Sequence, residues 1–159
     1  MITSATGVGT TVKMFLTPSK GRVSTVTTKK TSNMRAGRKV ENILLVENKV
    51  DVRAAVADQL QKLGYSVQTA ANMPEAIEIL RAKGEVNLLL SDIILDGDKT
   101  GVALAKQARS ADKDLKIILM SGYVDPLLSA EIANFADLGW LAKPFDRSAL
   151  DGELRKLLD

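Results

Sequence analysis

The sequence has no cysteine and no histidine, and it is poor in aromatic residues, with one Trp, two Tyr and three Phe in 159 residues. Without cysteine there is no disulfide bond and no thiolate metal site, which is compatible with a reducing compartment. Without histidine there is no histidine nucleophile, no zinc site with histidine ligands and no phosphohistidine carrier. No apolar run approaches the roughly 20 residues that span a bilayer. The amino-terminal segment lacks the basic and apolar regions of a signal peptide. We therefore expect a cytoplasmic chain without membrane contact of its own.

Positive charge is concentrated at the amino-terminal end. Residues 1–42 contain eight Lys or Arg and one acid, whereas residues 43–159 contain 14 basic and 18 acidic residues. The overall charge of +3 therefore combines a basic leader with a mildly acidic remainder. A basic tail could bind nucleic acid, but its single aromatic residue, Phe15, offers little base stacking. A solvated linker is the simpler interpretation, and we predict no direct nucleic-acid partner.

The leader has two parts. Aliphatic residues occupy every second position of Val12–Leu16, which predicts a short strand. From Thr17 to Lys39 the chain is rich in Ser, Thr, Lys, Gly and Arg and has no apolar period. This composition predicts a flexible linker.

From residue 40 onward, short apolar runs alternate with segments of helical apolar spacing. The runs predict buried strands at 43–46, 65–69, 86–90, 116–120 and 140–142. A helix is predicted after each strand. Apolar residues at helical spacing mark the first helix (Val52, Val56, Leu60 and Leu63), the second (Ala76, Ile77 and Leu80) and the fifth (Leu150, Leu154 and Leu157). The third is predicted from Thr100 to Arg109, and the fourth is predicted to begin at Asp125-Pro126. Asn72 and Glu75 form a capping pattern for the second helix, and Asp146 is the expected cap of the last. The alternation predicts an α/β fold with a doubly wound, five-stranded parallel sheet between flanking helices.

Polar residues follow four of the predicted strands at their carboxyl ends, where ligands bind in such sheets. They are Glu47, Asn48, Asp92, Ser121, Gly122 and Lys143. Each alone is explained equally well as a helix cap, a turn residue or a solvated charge. Together they form one chemical set, because a carboxylate such as Asp92 can accept a phosphoryl group as an acyl phosphate. Oxygen ligands suit Mg2+, which would reduce the repulsion between the carboxylate and the anionic phosphoryl donor. Lys143 and Ser121 could pair with phosphoryl oxygens.

The stretches around these residues resemble the receiver domains of bacterial response regulators and hybrid sensor histidine kinases. The resemblance covers about residues 42–159, and its motifs are ILLVEN at 43–48, LLSDIILDG at 89–97, ILMSGY at 118–123 and LAKPF at 141–145. It implies a flavodoxin-like fold with strand order 2-1-3-4-5. By resemblance, the phosphoacceptor is Asp92, the phosphate-binding residues are Ser121, Gly122 and Lys143, and the Mg2+ ligands are Glu47, Asn48, Asp92 and the backbone carbonyl of Ile94.

The resemblance also assigns residues that respond to or tune the phosphorylated state. Ser121 takes the place of the switch hydroxyl. Trp140 falls where the family places its switch aromatic, although a core role at a strand end explains it equally well. Ile94 and Tyr123 flank the expected phosphoryl group and could hinder a hydrolytic water, which predicts a fairly long-lived aspartyl phosphate.

Asn48 departs from the family pattern. Receivers usually carry a carboxylate at this position as a direct Mg2+ ligand, whereas the amide oxygen of Asn48 can coordinate but brings no charge. A unit-charge pair near 4 Å is worth roughly 4 kcal/mol at an effective dielectric of 20. Less repulsion among the remaining acids offsets part of that loss, so we predict weak Mg2+ binding.

The leader resembles a second family. Residues 7–12 and 14–16 are similar to the last glycine box and final strand of the sensor histidine kinase ATPase domain, although a chance Gly- and Thr-rich stretch would look the same. We therefore predict three parts: a remnant strand at 1–17, a flexible basic linker at 18–41 and a receiver domain at 42–159. The order suggests the carboxyl-terminal piece of a hybrid histidine kinase, or a shortened descendant, whose parent protein could be membrane-anchored. No kinase activity is expected, because the rest of an ATP site is missing.

Three functions compete at this stage. In the first, a histidine kinase or phosphotransfer domain phosphorylates Asp92, and the face of helix four, strand five and helix five changes its affinity for an unknown downstream protein. No output domain follows Asp159, so output is expected through that partner, with a weak homodimer as a further option. In the second, a pseudo-receiver binds partners without phosphorylation, because Asn48 has weakened metal binding. The third, a haloacid dehalogenase-type phosphohydrolase, is disfavoured because that family needs a second Asp where this chain has Ile94.

Overall fold

The computed structural model describes residues 2–7, 9–15, 40–82, 85–95, 100–122 and 137–159. The chain divides into two compact units, Met1–Ala36 and Gly37–Asp159. The greater part of the predicted linker lies outside the described residues, as does the helix predicted to begin at Asp125-Pro126.

The first unit contains an antiparallel hairpin of β1 (Ile2–Ala5) and β2 (Gly9–Val12). The turn includes Gly7 at φ 78°, a left-handed conformation that glycine adopts without steric cost. The prediction of a strand through Leu16 was wrong in extent, since β2 ends at Val12. Val12 pairs with Ile2 at the beginning of β1, and Leu16 lies outside the described residues. β1 was not predicted, because ITSA lacks a clear apolar alternation.

The second unit is built on a five-stranded parallel sheet. Its strands are β3 (Asn42–Val46), β4 (Ser66–Ala70), β5 (Leu88–Asp92), β6 (Lys116–Ser121) and β7 (Leu138–Ala142). Their spatial order is β4-β3-β5-β6-β7, which confirms the predicted order 2-1-3-4-5. The order reverses between β3 and β5, where such sheets bind ligands beyond their carboxyl ends.

Four helices are described in this unit. They are α1 (Val50–Lys62), α2 (Met73–Arg81), α3 (Gly101–Ala111) and α4 (Arg147–Leu158). The predicted capping pattern of α2 is present, because the Glu75 amide donates to Asn72 Oδ1 at 3.0 Å and Glu75 Oε2 accepts from the Ala71 amide at 2.8 Å. Asp146 caps α4 as predicted by accepting from the Ala149 amide at 2.8 Å. None of the helices in the described ranges is long and apolar enough to cross a membrane.

Apolar side chains cover both faces of the sheet. On one face, residues of α2 and α3 pack on alternate strand positions, including Leu44, Leu89, Ile117 and Leu119. On the other face, α1 and α4 pack on the intervening positions, including Ile43, Leu45, Leu90 and Ile118. The strands at the centre are thus buried on both sides, which explains their uninterrupted apolar runs.

Several strand boundaries differ from prediction: β5, for example, begins at Leu88, two residues later than predicted. Two of the differences have a packing reason. Tyr65, predicted as the first residue of the second receiver strand, lies just before β4 and belongs to the core. β7 begins at Leu138, two residues earlier than predicted. A Cβ atom at Gly139 would lie 2.7 Å from Ile118 Cγ1 and 2.9 Å from Leu157 Cδ1, so close packing of α4 requires glycine there. That glycine interrupted the strand signal in the sequence.

Candidate functional site

Side chains from three separate parts of the second unit meet at the carboxyl edge of the sheet. Glu47 follows β3, Asp92 ends β5 and Lys143 follows β7. Lys143 Nζ lies 2.5 Å from Glu47 Oε2 and 3.1 Å from Asp92 Oδ2. The sheet order therefore brings together three of the residues predicted at strand ends.

These charged groups are largely removed from water. Glu47 is 0% exposed and Asp92 8% exposed, so both depend on the Lys143 ammonium for compensation. Burial raises the pKa of Asp92 above its ordinary value of 3.8, and the nearby Lys143 charge only partly offsets this effect. Repulsion from Glu47 raises the Asp92 pKa further. Asp92 is thus a carboxylate with little hydration and one cation at contact distance.

The backbone of Asp92 is held by close packing with the first residue of α3. A Cβ atom at Gly101 would lie 2.1 Å from the carbonyl oxygen of Asp92, so glycine alone fits at this position. The Gly101 amide donates to the Ile93 carbonyl at 2.8 Å, and Ser91 Oγ donates to the Asp92 carbonyl at 2.9 Å. Gly101 was not predicted, because an isolated glycine at a helix start does not indicate which backbone approaches it.

The end of β6 supplies the next two predicted residues. Ser121 is buried, and its carbonyl accepts from the Lys143 amide at 2.7 Å, which joins the ends of β6 and β7. Gly122 is exposed, with open space where a side chain would be. Tyr123 lies outside the described residues.

Two of the remaining predicted residues are apolar. Ile94 is 65% exposed and forms an isolated antiparallel bridge with Thr100. Trp140 is half-buried, packs against the core on the α2 and α3 face, and lines a groove of about 810 Å³ with Pro144 and Phe145. This packing agrees with the core role predicted for Trp140, and its role as a switch residue stays a prediction.

The loop between β3 and α1 carries the remaining predicted ligands. Glu47 Oε1 accepts from the Lys49 amide at 3.1 Å, and Asn48 is half-buried with a buried side-chain oxygen. Arg53 Nη1 donates to the carbonyl of Glu47 at 2.5 Å and to that of Asn48 at 3.3 Å. Arg53 was not singled out from the sequence, although its position in the first turn of α1 is a usable signal.

The chemistry of these donors fits a hard divalent cation. Two carboxylates, an amide oxygen and the Ile94 backbone carbonyl are the oxygen ligands that Mg2+ takes. The charge is lower than in a site with three acids, and among the described residues no cluster of three Asp, Glu, His or Cys side chains suits a metal ion. Glu47, Asn48, Asp92 and Ile94 would hold the ion, with Asn48 contributing a neutral oxygen.

Comparison with known proteins agrees with this architecture. The family model "Response regulator receiver domain" matches residues 43–155. The sensor kinase CckA of Brucella abortus is 33% identical over 118 residues, which cover 74% of this chain and 12% of that protein. The receiver protein CpdR of the same organism is 34% identical over 119 residues, 75% of this chain and 98% of its own.

A solved structure gives the same result and fits a hybrid-kinase origin. The receiver domain of the hybrid histidine kinase CckA is 30% identical, with a TM-score of 0.62 over 74% of this chain and 99% of that domain. Receiver domains are in general phosphoacceptor signalling modules that act with histidine kinases or phosphotransfer proteins, bind Mg2+ at the phosphorylation site and are not enzymes in their own right. The family model covers more than half of the chain, and the chain therefore belongs to the response regulator receiver domain family.

Proposed function

We propose that this chain accepts a phosphoryl group on Asp92 from a histidine kinase or a histidine phosphotransfer domain. The observation that carries the proposal is the contact of Lys143 Nζ with Asp92 Oδ2 at 3.1 Å within a largely buried site. A carboxylate oxygen of Asp92 attacks phosphorus, the bond from phosphorus to the donor imidazole nitrogen breaks, and the imidazole takes up a proton. The product is an aspartyl phosphate.

The neighbouring residues have distinct roles in this proposal. Lys143, Ser121 and Gly122 bind the oxygens of the phosphoryl group through the ammonium, the hydroxyl and the backbone amide. Bound Mg2+ supplies positive charge that offsets the repulsion between Asp92 and the incoming phosphate. Because Asn48 replaces an acid, the proposed Mg2+ affinity is weak.

The signal passes to another protein through the face that includes β7 and α4. Movement of Ser121 toward the phosphoryl group would be coupled to Trp140, since the two residues lie on the adjacent strands β6 and β7. The partner is a downstream protein in the cytoplasm, and a weak homodimer is a further form of this interaction. We also propose the parts 1–17, 18–41 and 42–159 as a kinase-derived strand, a linker and the receiver.

Labelling with a small acyl phosphate tests the phosphoacceptor role. The full chain is incubated with acetyl phosphate and MgCl2, and intact-protein mass spectrometry measures the phosphoryl adduct. Asp92→Asn should abolish the adduct, while Asp58→Asn, an exposed carboxylate on α1, should leave it intact. An adduct that persists in Asp92→Asn, or is absent from the wild type under saturating donor, contradicts the proposal.

A pseudo-receiver is the second candidate, and one observation favours it. Lys143 already pairs with Glu47 at 2.5 Å, and the third acid is absent at Asn48, so the site has little excess negative charge to attract a cation. In that case the chain binds partners without phosphorylation. The same labelling experiment separates the two, because a pseudo-receiver gives no adduct on Asp92 at any Mg2+ concentration.

A further inference from the structure

The β3–α1 loop, residues 47–49, holds two of the proposed metal ligands, and a guanidinium from α1 contacts its backbone. Arg53 Nη1 reaches the carbonyl of Glu47 at 2.5 Å and that of Asn48 at 3.3 Å. We propose that Arg53 is a positioning residue that sets the backbone of this loop and, through it, the affinity of the site for Mg2+. This inference rests on the proposed function and extends it to a residue outside the strand-end set.

The helix start explains why an arginine side chain is needed here. Lys49 is the N-cap residue of α1, and a lysine side chain has no acceptor with which to cap backbone amides. Helical side chains point back toward the amino terminus, so Arg53 in the first turn extends over the loop that precedes its own helix. Its backbone also contributes, because the Arg53 amide donates to the Lys49 carbonyl at 2.9 Å.

Glu47 is constrained at four points, and Arg53 provides one of them. The Glu47 amide donates to the Ala70 carbonyl at 3.2 Å, its Oε1 accepts from Lys49 and its Oε2 pairs with Lys143. The carbonyl of Glu47 is held by Arg53. The carbonyl of Asn48 shares the same donor, so one planar group orients two consecutive peptide units that carry ligands. Loss of this donor would let both units rotate.

The positive charge of Arg53 and its hydrogen bonds have opposite effects on the affinity of the site for Mg2+. A cation near a metal site weakens metal binding, so removal of the charge alone should tighten it. Arg53 is half-buried and its charge is partly screened by water, whereas its hydrogen bonds fix ligand geometry directly. Partners that orient metal ligands typically contribute 10–100-fold to metal affinity, and we therefore expect the positioning effect to dominate.

The test is a titration of the full chain with MgCl2, followed by 1H–15N NMR for wild type, Arg53→Gln and Arg53→Lys. Arg53→Gln should raise the Mg2+ Kd about ten-fold. Arg53→Lys keeps the charge but lacks the planar fork, so it should raise the Kd by a few-fold. In the metal-free spectra, the Lys49 amide, which donates to Glu47, should shift in both variants.

A matched control removes a similar arginine at the end of the sheet where the strands begin. Arg109 in α3 also donates to two backbone carbonyls, those of Lys113 at 3.4 Å and Asp137 at 3.5 Å. Arg109→Gln should leave the Mg2+ Kd unchanged, even if its thermal midpoint falls as much as that of Arg53→Gln.

An unchanged or lower Kd in Arg53→Gln would overturn the inference, since a purely structural arginine would change stability alone. If Arg53→Gln does not fold, Arg53→Lys decides, and an unchanged Kd in that variant overturns it. Absence of any Mg2+ binding by the wild type also overturns it. Mg2+ binding without an Asp92 adduct overturns only the proposed function.

Discussion

Lys143 and Glu47 lie 96 residues apart in the sequence, and their side chains form an ion pair of 2.5 Å in which the Glu47 carboxylate is entirely buried. The same ammonium lies 3.1 Å from Asp92. A buried carboxylate without a partner is strongly unfavourable, so Lys143 should contribute to stability in addition to the phosphate-binding role proposed above.

Removal of the Lys143 charge should destabilise the protein. Lys143→Met leaves Glu47 buried without compensation, and we expect a loss of about 2 kcal/mol in the free energy of unfolding, because partial exposure of Lys143 lets water relieve part of the cost. Urea unfolding measures the change. The double variant Glu47→Gln/Lys143→Met should lose less than Lys143→Met alone. An equal or greater loss in the double variant would show that the pair is not coupled.

Restoration of an acid at position 48 should strengthen Mg2+ binding. Asn48→Asp adds a charge to the proposed ligand set that includes Glu47 and Asp92, and repulsion among the three acids offsets part of a Coulomb gain of roughly 4 kcal/mol. We expect the Kd to fall at least about ten-fold, which corresponds to 1.4 kcal/mol, as measured by calorimetric titration. Asn87→Asp, which adds the same charge beside Asn42 at the opposite edge of the sheet, is the control. An equal or weaker Mg2+ affinity in Asn48→Asp would mean that the ligand position is misassigned.

The raised pKa of Asp92 predicts a specific pH dependence. A carboxyl whose pKa is higher in the folded state binds more protons there than in the unfolded state, so its ionisation lowers stability as pH rises above the ordinary value of 3.8. Asp92→Asn should therefore stabilise the protein more at pH 7 than at acidic pH. Carboxyl 13C NMR should give a pKa for Asp92 above the ordinary value of 3.8. Stabilisation independent of pH would contradict this reading.

A second charged cluster links α4 to the opposite edge of the sheet. Arg155 Nε donates to the Tyr65 hydroxyl at 2.8 Å, its Nη2 lies 2.5 Å from Glu41 Oε2, and the guanidinium stacks 5.1 Å from the Tyr65 ring centre. We expect Arg155→Gln to lower the free energy of unfolding by about 2 kcal/mol. The exposed Lys156→Gln should have little effect in the same urea unfolding experiment.

The phenol of Tyr65 provides an independent readout of that cluster. Burial raises the pKa of Tyr65 above 10.0, while the hydrogen bond and charge of Arg155 lower it. Arg155→Gln should therefore raise the Tyr65 pKa further in an ultraviolet titration. A lower Tyr65 pKa in this variant would show that the guanidinium does not stabilise the phenolate.

The lifetime of the aspartyl phosphate should depend on the residues that flank it. Ile94 is exposed beside Asp92, and Tyr123 is the second flanking residue by sequence. Replacement of either by a polar residue would admit and orient water, so Ile94→Asn and Tyr123→Glu should each accelerate loss of the adduct several-fold. Decay is followed by mass spectrometry after removal of the donor. An unchanged decay rate in both variants would rule out shielding by these residues.

Local patterns identified most of the receiver architecture. Uninterrupted apolar runs such as Ile43–Val46 reflect burial on both faces of the sheet. The side chains of Asn72 and Asp146 accept hydrogen bonds from amides three residues later. Both signals lie within a short stretch of sequence. The start of β7 was missed because Gly139 is required by a contact with Ile118 and Leu157, which is not local. β1 was missed because a short strand without apolar alternation becomes visible only through its partner.

The chain's order of residues was sufficient to define the type of fold and the chemical set at the strand ends, because periodicity, capping and a few polar positions after apolar runs depend on near neighbours. The tertiary arrangement decided that Lys143 reaches both Glu47 and Asp92, that Gly101 lies against the Asp92 backbone and that Arg53 holds the loop of Glu47 and Asn48. These relations join distant segments or depend on the path of a loop. Distances between such groups are set by packing of the whole sheet, so they cannot be predicted from spacing along the chain.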